Sequence, residues 1–204
     1  GIGLVYAGLT VVWAVMLWAA GMSPFDAIAH AMTTLATGGY STRTASIGAF
    51  DSAAIEWIIV IGMIVGSLPF AHYLAMMRGG WRSLLNDPQV RWFLILVTSL
   101  VLLLCWNLTQ SGQPLGNAFR QASFNGVSIM TGTGYVSANY SIWGGFASTI
   151  LLLVMFIGGC SGSTTCGIKV FRFQVLAATV QVQINRLLKP HAVVLAYYNR
   201  RPVS

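Results

Sequence analysis

Two short segments, Thr37-Gly38-Gly39-Tyr40-Ser41 and Gly132-Thr133-Gly134-Tyr135-Val136, each stand between a short helix-like run and a long apolar one. The runs before them are too short to cross a bilayer, so each is expected to enter a membrane and turn back. Glycine at such a turn admits positive φ and lets carbonyl oxygens face an axis, where they can replace a cation's hydration shell. Gly39 and Gly134 lie 95 positions apart, and the apolar order around one recurs around the other. That recurrence points to a duplicated membrane unit rather than two unrelated turns.

Composition places the chain in lipid. Of its 204 residues 56% are hydrophobic and 7% charged, with a mean hydropathy of +0.72, which excludes an ordinary soluble domain. Gly3 to Ala20 is almost uncharged and, at about 1.5 Å per residue, just crosses a hydrocarbon core. Ser23 reads as a helix cap and Pro24 as the first helical position of a re-entrant run to Ala36, whose partially negative C-terminus would favour a cation. Ala53 to Met77 is expected to be the second span. The order then repeats: Trp92 to Leu108 spans, Gly116 to Met130 re-enters, 131–136 turns, and a last span starts at Gly145. In this register Ala27 matches Ala122, His30 matches Asn125, Thr33 matches Ser128 and Tyr40 matches Tyr135. The expected fold is an all-α polytopic membrane protein with a first unit at 1–78, a cytoplasmic linker at 79–91, a second unit with a broken last helix at 92–183, and a basic cytoplasmic tail at 184–204.

Charge orients the chain. Arg78, Arg82 and Arg91 lie between the units, and Lys169, Arg172, Arg186, Lys189, Arg200 and Arg201 lie at or beyond the last span. Arg43 follows the first loop on the opposite side and Arg120 sits inside the second re-entrant run. The positive-inside rule makes the linker and tail cytoplasmic and opens both loops outward. The net charge of +7 is explained by these flanks and by membrane lipid, and no nucleic-acid partner is expected, since no aromatic platform interleaves the basic residues. Cys105, Cys160 and Cys166 have neither the spacing nor the histidine neighbours of a disulfide or zinc framework and read as packing residues. Asp26, in the first turn of the re-entrant helix, reads as a helix-dipole cap, and Glu56 lies near the outer start of a span. Without Met at position 1 or a basic leader, the chain is expected to begin inside a longer protein.

The segment from Gly158 to Gly167 contains only Gly, Ser, Thr and Cys within an apolar span. Glycine costs about 1 kcal/mol relative to alanine in a helix, and the hydroxyls compete for backbone partners, so the span should break here. Irregular backbone at membrane depth is tolerated only beside protein or water, which puts the break against a central path. The alternative is a tight packing face of small residues. Lys169, just after it, reads equally as a residue competing with a permeating cation or as a snorkelling anchor.

Ala36-Thr37-Gly38-Gly39-Tyr40-Ser41-Thr42 and Phe156-Ile157-Gly158-Gly159-Cys160-Ser161-Gly162-Ser163-Thr164, set in this unit order, resemble the Trk/Ktr/HKT superfamily of potassium transporters, most of all its bacterial Trk potassium-uptake membrane subunits. The resemblance implies four such units around one pore, of which this chain resembles the second and third. It implies potassium translocation, with filter positions at Thr37, Gly38, Gly39, Tyr40, Gly132, Thr133, Gly134 and Tyr135 that hold K⁺ as the transported ion. A gate is implied at Gly158, Gly159, Ser161, Gly162, Ser163, Thr164, Thr165, Gly167 and Lys169. Also implied are a homodimer, cytosolic nucleotide-binding regulatory subunits, the remaining pore units of a longer chain, and the bacterial inner membrane. No cofactor and no enzymatic activity are expected. The chain departs from the family pattern at Thr133, where the first loop has Gly38, and at Thr164-Thr165-Cys166, where glycines would be expected before Ile168-Lys169. Selectivity for Na⁺ or mixed monovalent cations stays open, as does passive flux against H⁺- or Na⁺-coupled symport. A remote alternative, an intramembrane serine protease, arises from Gly159-Cys160-Ser161-Gly162 and would require His30, His72 or His191 to reach Ser161.

Overall fold

The first helix, α1 (Ile2–Ala19), carries no charged residue and is apolar around its whole circumference, as a helix solvated by lipid must be. Only Trp13 and Leu17 are buried, whereas Val11, Val15 and Trp18 face outward. The computed structural model describes residues 1–77, 79–80, 82–188, 197–198 and 201–202. Arg78, Lys189, His191 and Arg200, which entered the sequence argument, lie outside the described residues.

Helix α2 (Pro24–Leu35) starts where the Ser23 hydroxyl accepts from the Asp26 amide at 3.1 Å and Pro24, lacking an amide hydrogen, occupies the first turn. Its 12 residues cannot span, and it packs on α1 with Ala27, His30, Ala31, Thr34 and Leu35 buried. Gly38 ends it by donating to the Thr33 carbonyl at 2.8 Å.

The expected single span from Ala53 to Met77 is corrected. It consists of α3 (Ala53–Gly66) and α4 (Phe70–Met77), bent by 92°. Pro69 has no amide hydrogen to continue the ladder, and the Ser67 hydroxyl has already taken the Met63 carbonyl at 2.6 Å. After the short α5 (Arg82–Asn86), the second long span is α6 (Pro88–Gln110). It begins ahead of Trp92 because the Asp87 carboxylate caps it, accepting from the Gln89 amide at 2.8 Å, with Pro88 in the first turn. Helix α7 (Leu115–Met130) re-enters, and the last span is divided into α8 (Gly144–Val154) and α9 (Val170–Leu188). Its break thus opens before Gly158. Among the described residues the only strands are Tyr197–Tyr198 and Arg201–Pro202, a two-residue antiparallel ladder in the tail.

The architecture is therefore an all-α membrane fold in which α1 packs on α2 as α6 packs on α7, while α3 touches both α2 and α7 and joins the units. A tight point among the helices of the first unit is Gly62 on α3. A Cβ there would lie 2.3 Å from Trp13 Nε1 and 2.6 Å from Thr34 Cγ2, and Trp13 Nε1 donates to the Ile58 carbonyl at 2.9 Å. α1, α2 and α3 thus meet over one missing side chain. Gly62→Ala is expected to lower stability in detergent by about 1–3 kcal/mol through overpacking. Gly8→Ala, where a Cβ meets nothing within 4 Å, should leave the thermal midpoint unchanged or raise it. Equal midpoints for the two variants would refute the three-helix contact.

Candidate functional site

Thr37 (φ 49°), Gly39 (φ 69°), Gly132 (φ 71°) and Gly134 (φ 85°) adopt left-handed backbone, the same two positions in each loop once the 95-residue register is applied. Gly38 and Thr133, between them, do not. The loops meet where a Cβ on Gly39 would lie 1.8 Å from the Thr133 carbonyl oxygen, so only glycine fits there. Each re-entrant helix then holds its own loop with a hydroxyl. Thr33 Oγ1 donates to the Tyr40 carbonyl at 2.9 Å, and Ser128 Oγ donates to the Tyr135 carbonyl at 2.7 Å. The Thr133 hydroxyl pairs with that of Thr131 at 2.7 Å.

The matched tyrosines differ. Tyr135 is buried with its hydroxyl against Thr33 and Thr34 of the other unit, while Tyr40 is 79% exposed. Of the eight loop positions expected from sequence, the fold joins Gly39 to Thr133 and Tyr135 to α2. Gly38, Gly132 and Gly134 are exposed, the last two lining an open cavity.

Residues 158–167 cross beneath both loops. Thr164 Oγ1 donates to the carbonyls of Leu35, at the end of α2, and Gly66, at the end of α3, at 2.8 and 3.0 Å, and lies 3.4 Å from Thr37 Oγ1. Cys166 approaches the second loop, its Cβ standing 3.2 Å from the position of a Cβ on Gly132. The segment also repairs the α3–α4 bend, because the Cys160 amide donates to the Ser67 carbonyl at 3.0 Å, the Thr164 amide to that of Gly66 at 3.2 Å, and the Phe70 amide to that of Gly162 at 3.1 Å. Its own frame is closed by Gly158 and Ile168, whose amide and carbonyl bond at 2.8 Å, and by the Thr165 hydroxyl, which accepts from the Gly159 amide at 2.9 Å and sits 2.8 Å from Ser163 Oγ. Gly158 and Gly159 have no room for a side chain, since a Cβ would fall 2.1 Å from the Cys166 carbonyl or 2.7 Å from that of Ser67. Gly162 and Gly167 take positive φ, and the Ser161 amide donates to Gln89 Oε1 at 2.9 Å. Lys169 turns its ammonium back into the segment, donating to the Thr165 carbonyl and lying 3.1 Å from Thr165 Oγ1.

No histidine among the described residues reaches Ser161. His30 bonds the Asp26 carbonyl and Ser41 Oγ, and His72 bonds Ser83 Oγ and the Asp87 carboxylate, so the base that a serine protease needs is missing from both candidates. Cys105 and Cys160 are buried, as packing residues should be, but Cys166, beside Gly132 of the second loop, is exposed. One pair escaped the sequence reading: Glu56 of α3 and Arg120 of α7 form an ion pair, with Nε 3.0 Å from the carboxylate, that ties the units together. The signal was present, since lone opposite charges in segments otherwise free of them are expected to pair.

A family profile described as TrkH, cation transport protein, matches residues 2–201. The Trk system potassium uptake protein TrkI of Halomonas elongata is 40% identical over 202 residues, 98% of this chain and 41% of that protein. TrkH of Vibrio parahaemolyticus is 40% identical over 199 residues, 93% of this chain and 40% of its own length. The crystal structure of the potassium transporter TrkH from Vibrio parahaemolyticus matches with a TM-score of 0.90 at 37% identity, covering 96% of this chain and 43% of that one. The chain thus spans about two fifths of the length of these relatives.

Asp26 does more than cap α2. Its carboxylate accepts from Thr42 Oγ1 and from Arg43 at 2.8 Å, which ties the residues after the first loop back to the start of the helix before it. The Thr42 hydroxyl and then Arg43 hold this carboxyl down, from 3.8 to about 2. A lowered carboxyl pKa adds stability that is complete above the unfolded value and is lost as pH falls through the folded one. The gap in thermal midpoint between the native protein and Asp26→Asn should therefore be constant above about pH 5 and close between pH 3.8 and about 2. A gap that stays constant down to pH 2 would remove the linkage.

Proposed function

This chain belongs to the TrkH family of cation transport proteins, and from that premise we propose that it supplies two of the units lining a potassium-selective path across the bacterial inner membrane. The observation that carries this reading is the repeated left-handed pair, Thr37 with Gly39 and Gly132 with Gly134, set just beyond the C-termini of two re-entrant helices. Alternating the sign of φ turns successive peptide planes alike, so carbonyls of Thr37, Gly38, Gly39, Gly132, Thr133 and Gly134 can be offered to one dehydrated K⁺. The carbonyls of Tyr40 and Tyr135 already accept from Thr33 and Ser128 and serve the filter chiefly by fixing its shape. Two loops enclose only part of an ion, and desolvated carbonyls must surround it, so further units of a longer polypeptide complete the path. A homodimer served by cytosolic nucleotide-binding subunits belongs to the same proposal and rests on the sequence resemblance.

The segment at 158–167 is the gate in this reading, with Thr164 beneath Thr37 as its point of closure and Lys169 as its internal brace. The chain belongs to a transport family and is not an enzyme.

Two measurements on the full-length protein test the proposal. Gly39→Ser and Gly134→Ser each place a Cβ on left-handed backbone, at a strain of about 1–2 kcal/mol, and should reduce K⁺ over Na⁺ preference by about tenfold. Gly39→Ser should also impair folding, because its Cβ displaces the Thr133 carbonyl. Unchanged preference in both variants removes the filter, and Na⁺ preferred over K⁺ in the native protein favours the sodium alternative. Deleting residues 161–164 should raise basal flux into proteoliposomes from a protein that still melts cooperatively. Equal or lower flux from such a protein assigns the segment to packing instead.

A further inference from the structure

The segment at 158–167 is held at two levels. Toward the loops, Thr164 takes the carbonyls of Leu35 and Gly66, and the Cys160 amide takes that of Ser67. Its tip, Ser161 and Gly162, is exposed, and a Cβ on Gly162 would meet nothing within 4 Å. Bonds reach that tip from the starts of two helices. The amide of Phe70, the first residue of α4, donates to the Gly162 carbonyl at 3.1 Å, and Gln89 Oε1, in the first turn of α6, accepts from the Ser161 amide at 2.9 Å. These two helix starts are fastened to each other. His72 of α4 places Nε2 2.7 Å from Asp87 Oδ2 and Nδ1 2.9 Å from Ser83 Oγ of α5. The second oxygen of the same carboxylate accepts from the Gln89 amide at 2.8 Å. Helix α9, into which the segment runs, returns to the same corner, where Gln174 Nε2 donates to the Pro88 carbonyl at 3.3 Å.

We propose that Gln89 is a positioning residue of the gate: its carboxamide oxygen holds the Ser161–Gly162 tip in the closed arrangement, as one jaw of a clasp whose other jaw is the start of α4. The inference rests on reading 158–167 as the gate. A glutamine side chain is costly to order, and here the helix cap at Asp87 fixes its backbone, so the carboxamide meets the tip from a fixed base. Thr164 and Cys160 bond main-chain carbonyls, which substitution of the residues that own them does not remove. The Ser161 amide instead bonds a side chain, so at this point one side chain outside the segment shifts the balance between closed and open. A bond of this kind changes an equilibrium by roughly two- to tenfold, which restrains the tip without locking it. The clasp lies beside the linker between the units, which the positive-inside rule places on the cytoplasmic side. A displacement of α4 or α6 there reaches the segment without moving either loop.

Basal K⁺ flux into proteoliposomes, K⁺ over Na⁺ preference and thermal midpoint, all measured on the full-length protein, test this. Gln89→Leu, similar in size but without an acceptor, should raise basal flux by about two- to tenfold and leave preference and midpoint as in the native protein. Gln89→Glu keeps the acceptor and should hold flux within about twofold of native. Native flux in Gln89→Leu overturns the assignment, as does flux raised equally in Gln89→Glu. Lost K⁺ preference in Gln89→Leu also overturns it, since the residue would then act through the loops. If Gln89→Leu lowers the midpoint, Gln89→Met, of nearly the native length, takes its place under the same criteria. Deletion of 161–164, assayed in parallel, separates the clasp from the reading beneath it. Raised flux from the deletion with native flux from Gln89→Leu removes the clasp and leaves the gate, whereas native flux from a folded deletion removes both.

Discussion

A peptide group unpaired at membrane depth costs several kcal/mol, because lipid offers no replacement for water. Both interrupted spans of this chain incur that cost, and each offsets the other's. The α3–α4 bend frees the carbonyls of Gly66 and Ser67 and the amide of Phe70, and these bond to Thr164, Cys160 and Gly162 of the segment that interrupts the last span. The exchange fixes where the interrupting segment lies. Since Thr164 also takes the Leu35 carbonyl at the end of α2, the same set of bonds places the segment beneath the first loop. A stretch of Gly, Ser and Thr suits that position, because its hydroxyls supply donors and acceptors locally, and Gly158 and Gly159 admit backbone where no side chain fits.

The two units share their mechanics but not their environments. Thr33 and Ser128 hold equivalent carbonyls in equivalent loops, and Ala27 and Ala122 are both buried where re-entrant helices meet their spans. Between the loops and the re-entrant helices, the Tyr135 contact runs from the second loop into the first re-entrant helix. Identical positions therefore acquire opposite exposures, as Tyr40 and Tyr135 do. A head-to-tail contact of this kind closes only when further copies of the unit follow, which is why an asymmetric pair of edges carries information about the assembly.

The few charges divide the remaining work. Asp26 and Arg43 brace the outer side of the first loop, and Glu56 and Arg120 clamp α3 to α7 across the unit boundary. His72, Ser83 and Asp87 join α4 to the start of α6 on the far side. Each pair links separate elements, so the sparse charge serves positioning.

The apolar period, the caps at Ser23 and Asp87, the glycines and the 95-residue register were legible in the sequence, because spans, re-entrant helices and turns follow from local chemistry and from what lipid tolerates. The sequence by itself thus determined the all-α membrane fold, the order of elements in each unit, and the break after α8. It did not reveal the 92° bend at Pro69, because an apolar run reads alike whether straight or folded back, and the groups freed at the bend take partners from a segment about ninety residues away. Nor did it distinguish Gly39 from Gly134 or Tyr40 from Tyr135. Those differences depend on which surface each loop meets, and only the tertiary structure, by bringing the second loop against the first re-entrant helix, decided them.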